Sequence, residues 1–273
     1  MKIGLITFAA GDPIWRLAAF RLKDQAKQMQ KFAKISIYSK RKLKRLLTPA
    51  DSKFIGENAK GAGYWIWKPI IIVDFLEKNP EIEIVLYLDA GCEINNREES
   101  CEAFDSYIEF LQENDALVFS MDHLDINWTK NSLIQHLKPS DDDLMSGQLL
   151  GGVHFMKRDF AIGICKEWLR VMRIDNYMYL RSNLGLEHLG FNAHRHDQSI
   201  FSLLIKRNNN IKILKSESNL YFHPEWHHGL NKPIWTSRRK SLIPSIKSNM
   251  GTKIVIFLER IVSKLYRDFI AKK

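Results

Sequence analysis

Residues Ile84 to Glu93 read IVLYLDAGCE, a short apolar run that ends abruptly in acids. A run of this length, rich in Val, Ile, Leu and Tyr, is the pattern of a buried strand. Asp89 stands where the run stops. Its carboxylate is therefore expected at the carboxyl edge of a parallel sheet, the edge at which open α/β sheets bind ligands. Gly91 follows, and glycine lets backbone or ligand come close. A carboxylate there suits a hard cation such as Mg²⁺ or Mn²⁺, which takes oxygen ligands and a phosphate partner. It equally suits the cap of a turn or of the next helix. This stretch alone leaves both readings open.

The flanking sequence repeats the strand and helix alternation of a nucleotide-binding α/β unit. Lys2 to Ala9 is a β-prone run closed by a Gly-Asp turn. From Pro13 to Met29, apolar residues fall at 14, 17, 18, 22, 26 and 29, which is helical spacing with proline in the first turn. Ala33 to Tyr38 is a second strand, and Lys40 to Arg45 a basic solvated surface. Pro69 opens a helix that runs to Lys78. Further helices are expected over Arg97 to Asn114, Asp159 to Met172 and His196 to Arg207. Strands are expected over Asp115 to Met121, Gln148 to Met156, Asn210 to Leu214 and Leu220 to His223. The segment Asp122 to Asp143 is polar, with a short helix near Leu133, and reads as a surface loop or as a mobile loop over a site. In the second case His123, Asp125, Trp128 and Lys130 would touch an acceptor.

Three other stretches are dense in chemistry. Tyr64-Trp65-Ile66-Trp67-Lys68 packs three aromatic residues before a lysine. The rings either pack under the sheet or form a platform for a sugar or base, with Lys68 reaching a phosphate. Gly151 and Gly152 open the strand LLGGVHFM, which marks a bulge or the close approach of a ligand. Glu225 to Trp235 places His227, His228 and Lys232 in one loop stiffened by Pro233. Neutral imidazole binds borderline metals, and lysine is a point charge suited to phosphate.

Charge sets the class of partner. The net charge is +10, but residues 238 to 273 hold ten Lys or Arg against two acids. The body therefore carries only +2, which argues against nucleic acid as its ligand. In the tail, Ile254, Phe257, Leu258, Ile261, Leu265 and Phe269 share a helical face flanked by basic residues. A basic amphipathic helix of this kind lies on anionic membrane surfaces or docks on its own domain. The three cysteines (92, 101, 165) have no metal spacing and fit free thiols in a reducing compartment. No stretch has the roughly 18 uncharged apolar residues of a spanning helix, and the first residues do not read as a signal peptide. The expected location is cytoplasmic, peripheral at the inner face of the cell membrane.

The order of these motifs resembles GT-A glycosyltransferases, and most of all family 8 of the retaining, nucleotide-sugar-dependent type. The matching segments are Ile6-Thr7-Phe8-Ala9-Ala10, Tyr64 to Lys68, Tyr87-Leu-Asp-Ala-Gly, Leu150-Gly-Gly-Val-His-Phe, Asp197-Gln198, and His227 to Trp235. The resemblance covers roughly residues 1–236 and implies a mainly parallel, mixed Rossmann-like sheet flanked by helices. A C-terminal basic amphipathic helix over 237–273 would follow. It implies transfer of a sugar from a nucleoside-diphosphate sugar, UDP-sugar first, to a polysaccharide or lipid-linked oligosaccharide acceptor. In that scheme Thr7, Phe8 and Ala9 hold the base. Lys68, Gly151, Gly152 and Lys232 contact the donor, and Asp197 and Gln198 line the reacting sugar. Asp89, Glu93 and His227 would bind Mn²⁺ or Mg²⁺, with Trp128 and Lys130 on the acceptor side.

The sequence departs from that pattern at Gly91, where the family has the second Asp of its Asp-x-Asp motif. Glu93 or a water would take that ligand position. The His loop also has one insertion before its Trp. Two alternatives stay open. A sugar nucleotidyltransferase shares the sheet, but FAAGDPIWR is a poor match to its glycine-rich basic loop. A catalytically degenerate peripheral membrane protein is the other.

Overall fold

A computed structural model describes residues 1–182, 185–215, 232–238, 240–242, 258 and 261. The expected strand over 220–223, His227 and His228, and the amphipathic tail lie outside the described residues. Of the tail's apolar face only Leu258 and Ile261 are described, both helical and exposed.

The chain folds as β1 (Ile3–Ala9), α1 (Pro13–Met29), β2 (Lys34–Ser39), α2 (Lys40–Lys44), α3 (Pro49–Glu57), α4 (Gly61–Tyr64) and α5 (Trp67–Lys78). Then follow β3 (Ile84–Leu88), β4 (Glu93–Ile94), α6 (Glu98–Glu113), β5 (Ala116–Leu124), α7 (Asp125–Trp128), α8 (Asn131–Leu137) and α9 (Asp141–Met145). β6 (Gly147–Lys157), α10 (Arg158–Tyr177), α11 (Asp197–Lys206), β7 (Ile211–Lys215) and β8 (Ile234–Trp235) complete the order. Six strands form one sheet in the order β2-β1-β3-β6-β5-β7. Only β6 runs against the others; it pairs antiparallel with both β3 and β5, and the remaining pairs are parallel. The sheet is therefore mixed and mainly parallel, with helices on both faces.

Strand periodicity explains the two cores. Val85 and Tyr87 point to one face, where α5, α10 and α11 pack, together with Ile6, Val118 and Met156. Ile84, Leu86 and Leu88 point to the other, against Leu22 and Ala26 of α1 and Phe104 and Leu111 of α6. All five residues of β3 are fully buried, and each such side chain contributes about 1.5–3 kcal/mol. The short apolar run is thus the centre of the molecule in space as well as in sequence.

Several expectations change. The basic run 40–45 stays solvated but is ordered as a short helix, α2 (Lys40–Lys44), that buries Leu43. α3 carries a capping box, with the Thr48 hydroxyl and the Asp51 carboxylate closing its first turn reciprocally. The polar segment 122–143 is the end of β5 and three short helices, α7 to α9; Ser140 and Asp143 cap the last of these. Asp125 within it is fully buried and paired with Lys206 at 2.7 Å, so it has no face to offer an acceptor. Asp125 also takes hydrogen bonds from Ser202 and Gln148, which ties α7 to α11 and β6. Residues 240–242 pack on the body. Arg21, buried in α1, donates to the carbonyls of Ser241 and Cys92, and the Lys240 amine lies 4.8 Å from the Trp15 ring centre.

Candidate active site

β3 ends at Leu88, and the chain turns sharply. The Asp89 N–H donates to the Gly152 carbonyl (2.9 Å), and the Cys92 N–H returns to the Asp89 carbonyl (2.8 Å). Asp89 keeps the strand's alternation, so it lies on the Tyr87 side, facing α5 and α11. The Tyr87 hydroxyl donates to Asp89 Oδ1 at 2.6 Å. A Cβ at Gly152 would sit 2.5 Å from Asp89 Oδ2. The glycine is therefore required by the carboxylate beside it, which explains one of the two glycines at the strand's start. The other, Gly151, lies against Gln198 and uses its main chain instead: its N–H donates to Gln198 Oε1, and its carbonyl accepts from Lys68.

Lys68 is the hub. Its amine lies 2.9 Å from Asp197 Oδ2, 3.7 Å from Asp89 Oδ1 and 2.9 Å from the Gly151 carbonyl. Its side chain is 4% exposed, as is that of Asp197, whereas Asp89 is 45% exposed. Burial works against the charge on Lys68, and the two carboxylates outweigh it, so the amine stays protonated above its ordinary range. Burial pushes the Asp197 carboxyl up to about 6 despite the pull of Lys68. Burial, and then Asp89, raise the Tyr87 phenol and keep it a donor. One buried cation thus joins two carboxylates, one sealed and one open to the crevice.

The elements that deliver these groups meet at one edge. Lys68 lies in the first turn of α5, after a main-chain turn in which Ala62, Tyr64 and Trp65 adopt positive φ. Asp197 opens α11 from His196, whose φ is +52°, and the Trp168 indole donates to the Asp197 carbonyl. Backbone strain of this kind collects at sites where the surrounding structure over-determines it.

The expected contacts divide. Asp89, Asp197, Gln198, Lys68, Gly151 and Gly152 come together as one constellation. Within it Gln198 is occupied by protein: it also donates to Gln148 Oε1 at 2.7 Å, so its amide braces β6. Lys68 is a bridge between acids, its amine set among Asp197, Asp89 and the Gly151 carbonyl. At the end of β1, Thr7, Phe8 and Ala9 turn their side chains inward. Phe8 stacks on Trp67 with ring centres 4.0 Å apart, and Ala9 packs with Ala18, Ala19 and Ala90. Only main chain is left there to meet a base.

Glu93 belongs to β4, where it pairs with Trp235 of β8 and is buried. It points into protein because β8 covers β4. Among the described residues no group of three or more His, Cys, Asp or Glu side chains is arranged for a metal ion. Asp89 is the one exposed carboxylate of the expected set, and His227 lies outside the described residues. The described side chains do not by themselves make a Mn²⁺ or Mg²⁺ site. Lys232 reaches the β4 edge, where its carbonyl and that of Pro233 accept from Asn95.

Lys130 is buried, and its amine donates to the carbonyls of Met178 and Arg181; it anchors the chain after α10 and faces no acceptor through the crevice. Burial lowers it to about 8. Trp128 is half-buried, with the Arg195 guanidinium 4.0 Å from its ring centre and His123 packed beside it. Three participants went unassigned in the sequence. Tyr87 was signalled by its place two residues before Asp89 on a strand. Arg195 stands in the polar run His194 to Ser199, where no periodicity marks it. Arg21, which clamps the Asp89 turn through the Ala90 and Cys92 carbonyls, carries no local signal, since its partners lie 69 and more residues away.

No family model and no curated protein matches the sequence. Solved structures do match. A glycosyltransferase involved in the glycosylation of the major capsid of PBCV-1 aligns over 98% of this chain and 99% of its own, with a TM-score of 0.52 and 12% identity. The apo form of mouse xyloside xylosyltransferase 1 aligns over 89% of this chain and 100% of its own, with a TM-score of 0.46 and 11% identity. The first likeness establishes a GT-A-like glycosyltransferase fold for this chain.

Proposed function

We propose that the chain is a glycosyltransferase that moves a sugar from a nucleoside-diphosphate sugar, a UDP-sugar first, to a hydroxyl of a polysaccharide or lipid-linked oligosaccharide. The observation that carries this reading is the Lys68-bridged pair, Asp89 and Asp197, set against Gly151–Gly152 at the carboxyl edge of a GT-A-like sheet.

The chemistry follows from charge. Breaking a glycosidic bond to a diphosphate places positive charge on the anomeric carbon and negative charge on the leaving group. Fixed charges aimed at those positions lower the barrier more than any other single effect. Asp89 supplies an exposed carboxylate whose orientation is set by Tyr87 and by the close approach of Gly152. Asp197 and Lys68 hold that carboxylate from behind in a water-poor pocket, where electrostatic interactions are stronger than in solvent. The missing Cβ at Gly152 leaves room at the carboxylate. Lys232 is the cation assigned to the departing diphosphate. Retention of configuration belongs to the proposal on resemblance to family 8. So does seating of the basic tail on an anionic membrane surface at the cytoplasmic side.

The test is calorimetric binding of UDP, GDP and CDP, each with and without Mn²⁺, to the wild type and to Asp89→Asn, with donor hydrolysis as the activity readout. Binding of one nucleotide together with slow hydrolysis of its sugar conjugate, the hydrolysis lost in Asp89→Asn, is the expected result. Binding that appears only with Mn²⁺ would add a metal at Asp89 with partners beyond the described residues. No binding of any of the three would overturn the reading.

A further inference from the structure

Arg195 is built into the same edge, and among the described residues no carboxylate forms an ion pair with it. It lies two residues before Asp197, and its backbone is pinned, the N–H donating to Ser199 Oγ and the carbonyl accepting from Gln198. Its guanidinium stacks on Trp128 and meets Met121 Sδ at 3.3 Å, at the carboxyl-terminal end of β5. Among the described residues that thioether is the one side-chain acceptor its guanidinium donates to. A guanidinium has five N–H donors, and a thioether is a weak acceptor, so most of its hydrogen-bonding capacity is unspent among the described residues. The neighbouring carboxylate, Asp125, is fully buried and already neutralised by Lys206.

A second cation is brought alongside. Ser237 donates to the Gly91 carbonyl in the turn that follows Asp89, which holds the next residue, Arg238, at the site's rim. Arg238 is exposed and close enough to Arg195 that the two repel. Burial, and then this repulsion, lower the Arg195 guanidinium. Two like charges held together, one of them stacked on an indole, are a stored preference for an anion.

The sheet order says which substrate this serves. β1, where a nucleotide base would lie, and β5 are on opposite sides of β3 and β6. Arg195 and Trp128 sit by β5, across the Asp89–Asp197 pair from β1. We propose that Arg195 and Arg238 recognise an oxyanion, a phosphate or a carboxylate, carried by the acceptor, with Trp128 as the apolar wall beside it. This rests on the glycosyltransferase reading and adds the charge of the acceptor to it.

The test compares binding of three probes to the full chain in the presence of saturating nucleotide: glucose 6-phosphate, 4-nitrophenyl glucuronide and the neutral 4-nitrophenyl glucoside. Variants are Arg195→Gln and, at the exposed position, Arg238→Gln, each checked for wild-type thermal unfolding. The wild type is expected to favour one anionic probe over the neutral one by about tenfold or more, and either variant to collapse that preference. A phosphate preference and a carboxylate preference distinguish the two sources of the anion. Equal binding of charged and neutral probes, or binding of none, would overturn the proposal. So would variants that weaken UDP while keeping the acceptor preference, since the cations would then serve the donor. Failure of the nucleotide itself to bind is read separately, and it sinks the donor reading.

Discussion

Replacing Lys68 by Met removes the one cation between two carboxylates and keeps most of the side-chain volume. At 2.9 Å from Asp197 Oδ2, with both side chains 4% exposed, the attraction is about 6 kcal/mol at an effective dielectric of 20. Relief from burying the amine offsets part of this, and removing one partner of a buried pair costs about 3–5 kcal/mol in practice. Asp89 adds little, because it is farther away and its side chain is 45% exposed. The variant's Asp197 escapes by taking a proton. The wild-type Asp197, near 6 against an unfolded 3.8, already bears most of that cost, so full protonation adds about 1.4 kcal/mol at pH 7 and close to nothing at pH 5. Urea denaturation should therefore show a loss of about 1.5 kcal/mol at pH 7, held below the usual cost of breaking a buried pair by that protonation, and a loss that falls towards zero at pH 5. The double variant Lys68→Met/Asp197→Asn should recover most of the loss at pH 7. A loss below about 1 kcal/mol at pH 7, or an equal loss at both pH values, would refute the account of Lys68 as a buried bridge.

Gly152→Ala would place a methyl 2.5 Å from Asp89 Oδ2 and push the carboxylate aside; donor turnover should fall at least about tenfold while thermal unfolding moves by only a few degrees. Tyr87→Phe deletes the 2.6 Å bond to Asp89; urea titration should show about 1–2 kcal/mol lost, with turnover falling further than stability because Asp89 loses its orientation. Burial lowers His154 and His194 to about 3 and His196 to about 4. These histidines are neutral in both states above the unfolded value of 6.5, so their contribution is intact there and is lost as pH falls below it, because the unfolded chain takes up protons first. Asp197 acts in the opposite sense: with a folded value near 6, it favours the folded state at low pH and loses that contribution as pH rises through 6. Three losses against one gain leave about 3 kcal/mol lost per pH unit below 6, read from urea midpoints; a flat profile between pH 7 and pH 5 would contradict it.

Much of the site was readable because its chemistry is local. Asp89 ends an apolar strand, Gly151 and Gly152 open another, and Asp197 opens a helix, so all three are marked by a change of periodicity. The readings that failed were those that asked which way a side chain points. Lys68 and Lys130 look alike in sequence, as basic residues beside aromatic ones, and both proved to be buried anchors. Phe8 ends β1 stacked on Trp67, and Glu93 lies buried in the separate β4–β8 pair. Thr7 and Ala9 share the end of β1 and share its inward packing. Arg21 and Arg195 take their roles from partners far along the chain.

The sequence by itself determined the alternation of strands and helices, the place of Asp89 at a sheet edge and the concentration of positive charge beyond residue 237. Those features depend on periodicity, on strand-ending residues and on composition, which act over a few positions. The tertiary structure decided that β6 enters against its neighbours, that one lysine joins two acids 108 residues apart in the chain, and that Arg195 stacks on Trp128 and has no ion pair among the described residues. Each of these depends on distances between segments that only packing brings together, and on burial, which sets whether a charge serves the fold or faces a substrate.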